Sequence, residues 1–265
     1  MPFSQADLRL IDRVVELLRP ARRLLFITGA GLSADSGLPT YRGVGGLYAD
    51  GRTTPYGLPV EEVLSGQMMS TRPEVTWQFL LEVERPARQA VPNRGHEVIA
   101  EMERHFDAVW TLTQNVDGLH RRAGSRQVLD VHGDLHDLVC TRSEHNETVA
   151  DYAGLDLPPR CRKCQAILRP SVVLFGEELP ETKMVRLWSE VRAGFDVVFS
   201  IGTSSSFPYI AAPVLRAREM RIPTVEINPE STAATRSVDL KIAGRAAEVL
   251  DLIWRKFLTE KDIGS

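Results

Sequence analysis

The chain has 265 residues, 43% hydrophobic and 25% charged, the balance of an ordinary globular protein rather than a disordered or fibrous one. A formal net charge of −3 gives no basic excess of the kind that nucleic-acid binding uses. No apolar run approaches the ~18 residues of a membrane helix, Asp7, Asp12 and Glu16 interrupt the stretch where a signal peptide would need an unbroken apolar core, and three cysteines are too few for a disulfide framework, so a cytoplasmic protein with neither membrane nor nucleic acid as partner is expected.

From the N-terminus, Ser4 can cap a helix whose Leu8, Ile11, Val14, Val15 and Leu18 recur at helical spacing up to Pro20. Arg23 to Gly31 is a short apolar run ending in glycines, which reads as a buried strand feeding a turn. Similar runs follow at Phe106–Thr113, Val128–Val131, Asp196–Ile201 and Thr224–Asn228, and helical stretches at His96–His105, Thr182–Ala193, Ala211–Met220 and Ala246–Phe257 separate several of them. Strands buried on both faces and alternating with helices predict a parallel sheet with helices on both sides, an α/β fold. Residues 34–93 are rich in turns, with helical patches near 60–68 and 73–90, and residues 134–170 are polar, loop-rich and contain all three cysteines. Both read as insertions that build a smaller module beside the sheet, the main domain then comprising 1–33, 94–133 and 171–265.

Four places carry residues suited to chemistry. Gly29, Gly31 and Ala34 fit G-x-G-x-x-G/A directly after a strand, where the glycines permit a tight turn and close approach of a pyrophosphate. The acidic residue expected ~20 positions on would be Asp50, which lies among turn residues and is discounted. Gln114, Asn115 and Asp117 follow a second strand and suit hydroxyls and amides, or serve as a polar turn with a helix cap. His132 ends a third strand, a place for acid–base work or for a structural imidazole. Cys161-x-x-Cys164 is one knuckle of a zinc ribbon, and Cys140 begins the other, but position 143 is Ser. Zinc would then sit on Cys140, Cys161 and Cys164 with Ser143, His145 or water as the fourth ligand, or the cysteines hold no metal.

Together these motifs resemble the bacterial-type sirtuins, NAD-dependent protein lysine deacylases. Gly29-Ala-Gly-Leu-Ser-Ala-Asp-Ser-Gly-Leu-Pro-Thr-Tyr-Arg42 is similar to the family's GAGxSxxSGxPxFR, Thr113-Gln-Asn-Val-Asp117 to TQNxD, Val131-His-Gly133 to the catalytic HG, Leu174-Phe-Gly-Glu177 to the FGE substrate strand, and Gly202-Thr-Ser204 with Ile227-Asn228 to GTS and xN. The resemblance runs from about residue 20 to 255 and implies a Rossmann-like domain with a small helical and zinc-binding module, NAD and acyl-lysine entering the cleft between them from opposite sides. It implies a nucleotide site at Gly29, Ala30, Gly31, Ser33, Tyr41, Arg42, Gly202, Thr203, Ser204 and Asn228. Gln114 and Asn115 would hold the nicotinamide ribose, with Asn115 also serving the catalysis, and Asp117 would hold the carboxamide. Val173, Leu174, Phe175, Gly176 and Glu177 would form the strand that pairs with an acyl-lysine protein or peptide. His132 would act as base toward the ribose hydroxyls, the products being deacylated lysine, nicotinamide and O-acyl-ADP-ribose. ADP-ribosyl transfer, NAD hydrolysis and NAD sensing without turnover are the competing activities, and a monomer is expected.

The chain departs from the pattern at Thr40 and Tyr41, which replace an acidic residue and Phe. Thr at this place resembles the class that includes desuccinylases, which bind an acyl carboxylate with a Tyr-x-x-Arg pair. Aligned on Trp77-Gln-Phe79, those positions hold Leu80 and Val83, which predicts acetyl or longer apolar acyl chains over succinyl. The stretch Ser205–Tyr209 is one residue longer than the family pattern.

Overall fold

The computed structural model describes residues 3–40 and 54–263, so Tyr41, Arg42 and Asp50 lie outside the described residues. Helix α1 (Gln5–Leu18) starts on a reciprocal cap: the Ser4 hydroxyl accepts the Asp7 N–H at 3.1 Å, and the Asp7 carboxylate accepts the Ser4 N–H at 3.1 Å. Strand β1 (Arg23–Thr28) leads through Gly29 into one turn of helix, α2 (Ala30–Ser33). Helices α3 (Val60–Val63), α4 (Gly66–Thr71) and α5 (Pro73–Gln89) follow, the last with Pro in its first turn, where no N–H is needed. Asn93 caps α6 (Arg94–Met102), which precedes β2 (Ala108–Thr113), α7 (Leu119–Arg122) and β3 (Val128–Asp130). Then come β4 (Gly133–Cys140), β5 (Asn146–Thr148) and β6 (Leu168–Val172). The chain closes with α8 (Glu181–Ala193), β7 (Val197–Ile201), α9 (Pro208–Glu219), β8 (Thr224–Ile227), β9 (Leu240–Ile242) and α10 (Ala246–Ile263).

Six strands form one parallel sheet in the order β3-β2-β1-β7-β8-β9. Counting only these six, the order is 3-2-1-4-5-6, the doubly wound arrangement in which the chain reverses direction beside the first strand and leaves a crevice there. Side-chain alternation sets the two layers. Leu24 and Phe26 face the core made with α1, α6 and α10, while Leu25 and Ile27 face the one made with α8 and α9. Phe26 lies opposite Phe199 in register, and their rings stack at 4.7 Å between centroids. A third core joins α3, α4 and α5 to a separate antiparallel sheet, β5-β4-β6. Trp77 is buried in it and donates its indole N–H to the Leu168 carbonyl at 3.1 Å.

The strands expected at 23–31, 106–113, 128–131, 196–201 and 224–228 are present, as are the expected helices. The helix read from Ala211 starts earlier, at Pro208, because proline fits a first turn. Residues 134–170 hold more regular structure than their polarity indicates, since β4 mixes polar with apolar residues and has only one face well covered, and β5 is wholly polar and is held by pairing with β4. The segment Val173–Gly176, expected as a strand, is irregular: only Phe175 makes a bridge, to Ser65, and its N–H and carbonyl are both taken by Leu64 and Gly66. Among the described residues no helix is long and apolar enough to cross a membrane.

Candidate active site

The C-terminal ends of β1, β2, β7 and β8 open onto a cavity of about 670 Å³. Its glycine-rich, polar side carries Gly29, Ala30, Gly31, Gln114, Asn115, Gly202, Thr203, Ser204 and Asn228, and His132 also lines it. Its other side is apolar, with Leu64, Leu80, Val83, Val116, Leu135 and the segment Val173–Glu177. Ser33 and Asp117 line an adjoining cavity of about 240 Å³ that shares Ala30, Val83, Asn115, Val116 and Leu135 with the first. The residues singled out at Gly29–Ala34, Gln114–Asp117, His132, Val173–Glu177, Gly202–Ser204 and Asn228 thus line these two adjoining cavities, and the cysteines do not.

Two backbones cross at its floor. The Gly31 N–H donates to the Gly202 carbonyl at 2.8 Å. A Cβ on Gly31 would lie 2.7 Å from the Gly202 Cα, and one on Gly202, whose φ is +56°, would lie 2.3 Å from the Leu32 nitrogen. Side chains at either place would force the ends of β1 and β7 apart.

A closed polar network lies beside this crossing. The two amide hydrogens of Asn115 go to the Gly29 carbonyl at 3.1 Å and the Ser33 hydroxyl at 3.0 Å. Ser33 donates in turn to Asp117 at 2.7 Å, and the Leu119 N–H reaches the other Asp117 oxygen at 3.0 Å. With its donors committed, Asn115 offers the cleft an acceptor oxygen. Burial pushes the Asp117 carboxyl above its ordinary range, and the Leu119 N–H and Ser33 hydroxyl oppose that. Gln114 donates to the Thr203 hydroxyl at 2.7 Å, tying β2 to the turn after β7.

The surroundings of His132 fix its tautomer. Nδ1 lies 3.0 Å from the Gln114 carbonyl, which can only accept, so Nδ1 carries the proton and Nε2 holds the lone pair. The Tyr209 hydroxyl, 2.7 Å away, donates to Nε2. Burial lowers the His132 pKa below the usual imidazole value, and the Gln114 carbonyl offsets part of that shift. The ring is therefore a neutral base with its acceptor nitrogen turned toward Tyr209.

Glu177, expected in the strand that pairs with substrate, is engaged within the protein. Its carboxylate pairs with Arg169, at 2.8 Å for one contact, and accepts the Leu174 N–H at 2.9 Å. Burial raises its pKa, but these partners outweigh burial and hold the carboxyl below the ordinary range. Its part is to shape the Val173–Gly176 segment.

The three cysteine sulfurs lie within 4.8 Å of one another, and those of Cys140 and Cys164 are 3.5 Å apart. A tetrahedral zinc with ~2.3 Å bonds spaces its sulfurs by roughly 3.8 Å, so the donor set fits that ion. The Ser143 hydroxyl is 4.0 Å from the Cys164 sulfur, whereas His145 Nε2 faces Glu147 at 3.4 Å. Cys140 ends the eight-residue strand that begins beside His132, which at ~3.3 Å per residue sets the cluster roughly 20 Å from the base.

Sequence reasoning missed Tyr209, although the added length of its stretch marked it, and a buried pair beneath the crevice. His120 Nε2 contacts the Thr28 hydroxyl at 2.9 Å, and its ring meets that of His96 edge-on at 4.9 Å. Neither histidine carries any signal in the sequence beyond its helical context.

Residues 29–207 match the Sir2 family. The NAD-dependent protein deacylase 2 of Pseudomonas aeruginosa is 48% identical over 91% of this chain and 94% of its own length. Among solved structures, a Sir2 homologue mutant in complex with ADP-ribose superposes with a TM-score of 0.87 at 34% identity, covering 95% of this chain and 98% of that one. A Sir2 homologue in complex with NAD gives 0.84 at 34% identity, covering 94% of each chain. The chain belongs to the Sir2 family.

The buried histidines make acid stability testable. The Asn93 N–H points at His96 Nδ1, 3.3 Å away, so a proton there would meet a donor. Burial lowers the His96 pKa to about 4, partly opposed by Asp35, and burial with His96 lowers that of His120. Both lie below the unfolded value of ~6.5, so the unfolded chain binds more protons below that pH. Stability is full above pH ~6.5 and falls as pH drops toward 4, by up to ~1.4 kcal/mol per pH unit for each histidine. Urea denaturation at pH 7.5, 6 and 5 should show this decline, and His96→Gln should reduce its slope by about one proton.

Proposed function

We propose that this Sir2-family chain is an NAD-dependent protein lysine deacylase, acting on acylated lysine in a protein or peptide and releasing nicotinamide and O-acyl-ADP-ribose. The observation that carries the reading is the neutral His132, its base nitrogen defined by the Gln114 carbonyl, at the junction of a glycine-floored polar side and an apolar side of one cavity. The names of the relatives and the ADP-ribose and NAD complexes of the structural neighbours support it.

NAD, consumed as a substrate, supplies an electrophilic ribose carbon once nicotinamide departs. In this reading Gly29, Ala30, Gly31, Gly202, Thr203, Ser204 and Asn228 hold the phosphates and adenosine, with Tyr41 and Arg42 as further cofactor-binding residues. Gln114 and the free oxygen of Asn115 orient the nicotinamide ribose, and Ser33 keeps Asn115 and Asp117 in place. Asp117, with lone pairs left over after Ser33 and Leu119, accepts the carboxamide N–H. Val173–Gly176, shaped by Glu177, runs alongside the substrate backbone, so that the acyl oxygen reaches the ribose. His132 Nε2 then takes a proton from a ribose hydroxyl, a step that contributes ~10²–10⁴-fold in rate. The dinucleotide-binding part comprises 1–33, 94–133 and 171–265, and the smaller module 34–93 and 134–170.

Wild-type protein incubated with NAD and an acetyl-lysine peptide should release nicotinamide only when the peptide is present. Peptide-independent release would favour NAD hydrolysis, and no release would favour a sensor. His132→Ala should lose at least ~100-fold in deacylation while still binding NAD.

The acyl end of the cavity is apolar at Leu64, Leu80, Val83, Val116, Leu135 and Phe175. Among the described residues lining the cavity the one cation, Arg245, is held by Asp35 at 2.6 Å. A carboxylate there would be stripped of water without a partner. Acetyl- and butyryl-lysine peptides should therefore turn over at least about tenfold faster, by kcat/KM, than succinyl-lysine peptides.

We further propose that Cys140, Cys161 and Cys164 hold a structural zinc, with Ser143 or a water at the fourth corner. The ion would supply cross-linking of the β4 end to the knuckle and no chemistry at the base. A chelator should lower the thermal midpoint of the purified protein, and Ser143→Cys should slow metal loss to the same chelator.

A further inference from the structure

Tyr209 lines the cavity and touches the base, and the reaction as described does not use it. It occupies the second position of α9, after Phe207 and Pro208. Its ring stacks on Phe207 at 5.4 Å and 16°, and Phe207 meets the His132 ring edge-on at 6.0 Å. The hydroxyl lies 2.7 Å from His132 Nε2, and the side chain is only half-buried and lines the cavity.

A neutral imidazole whose Nδ1 is protonated has one lone pair for hydrogen bonding, on Nε2. Tyr209 uses it. A ribose hydroxyl that is to give its proton to Nε2 needs the same lone pair along the same direction, so the two donors exclude one another.

We propose that Tyr209 is a positioning residue that caps the base, standing in for the ribose hydroxyl until the nucleotide displaces it. The cap holds the ring on the Gln114 carbonyl and keeps the tautomer fixed. It also keeps bulk water off Nε2. Its removal lets a ribose hydroxyl reach the base without competition.

The inference rests on the proposed docking of a ribose at His132, and calorimetric titration separates the two. The probes are ADP-ribose, which carries the second ribose, and AMP, which lacks it. Tyr209→Phe should bind ADP-ribose about threefold to tenfold more tightly than wild type, the worth of one net hydrogen bond, with AMP affinity unchanged. In turnover the same variant should lower the KM for NAD and leave kcat within about twofold. The gain in ADP-ribose affinity should vanish when Tyr209→Phe is made in a His132→Ala background. Equal or weaker ADP-ribose binding by Tyr209→Phe, a matching gain for AMP, or a gain that persists without His132 overturns the cap. Failure of wild-type protein to bind ADP-ribose at all overturns the reading of the site and the cap with it.

Discussion

The contact on which the site depends is between two backbones. At the reversal point of the sheet, Gly31 and Gly202 approach so closely that neither tolerates a Cβ, and a 2.8 Å hydrogen bond joins them. Because β1 and β7 are hydrogen-bonded neighbours along their length, their ends would come together anyway. The glycines decide what stands between those ends. With side chains there, the crevice floor would be filled and no extended anionic ligand could lie against main-chain groups. Without them, the turns after β1 and β7 form one surface, and Gln114 from β2 is drawn onto it through Thr203.

Everything polar above that floor is saturated in a directed way. Asn115 gives both its hydrogens to the protein, Ser33 relays one of those bonds to Asp117, and His132 gives its proton to a carbonyl. What is left facing the two adjoining cavities is a set of acceptors, the Asn115 oxygen and the remaining lone pairs of Asp117, with His132 Nε2 covered by the Tyr209 hydroxyl. A sugar and a primary amide present hydroxyl and N–H donors, so the complement is chemical as well as spatial. A buried network of this kind tolerates little loss, since each member removed leaves another unpaired in a low-dielectric setting.

The sheet was legible because its strands are continuous apolar runs ending in glycine or polar residues, a pattern that only burial on both faces produces. The glycines, Gln114, Asn115, Asp117 and His132 were legible because each follows such a run. Less could be read where structure depends on partners distant in sequence. β9 is three residues long and shows no pattern of its own. β4 and β6 pair across nearly thirty residues of polar chain, with a register shift between Asp134 and Leu138. Val173–Gly176 has the composition of a strand, but Leu64 and Gly66 claim the backbone of Phe175, so a regular strand cannot form there. His96, His120 and Tyr209 act through contacts that spacing cannot reveal, and only the extra residue in Ser205–Tyr209 hinted at the last.

The small module matters to the chemistry through mechanics. β4 starts at Gly133, the residue after the base, and ends at Cys140 in the thiol cluster. Gly133, at φ +87°, is pressed so tightly against Ser171 of β6 that a Cβ would overlap its carbonyl oxygen. Beside it, the His132 carbonyl accepts the N–H of Val173 at 2.8 Å, so β6 grips the base from the chain side while Gln114 grips it from the ring side. Helix α5, which carries Leu80 and Val83, is docked on the other end of β6 by the Trp77 indole at Leu168. One short sheet thus fixes the position of His132, the apolar wall of the cavity and the thiol cluster together. Loosening the cluster would loosen the β4–β6 pairing first at Cys140 and Leu168, far from His132, and reach the base only if the pairing opened along the whole strand. Damage at the cysteines should therefore appear as lost stability well before it appears as altered chemistry.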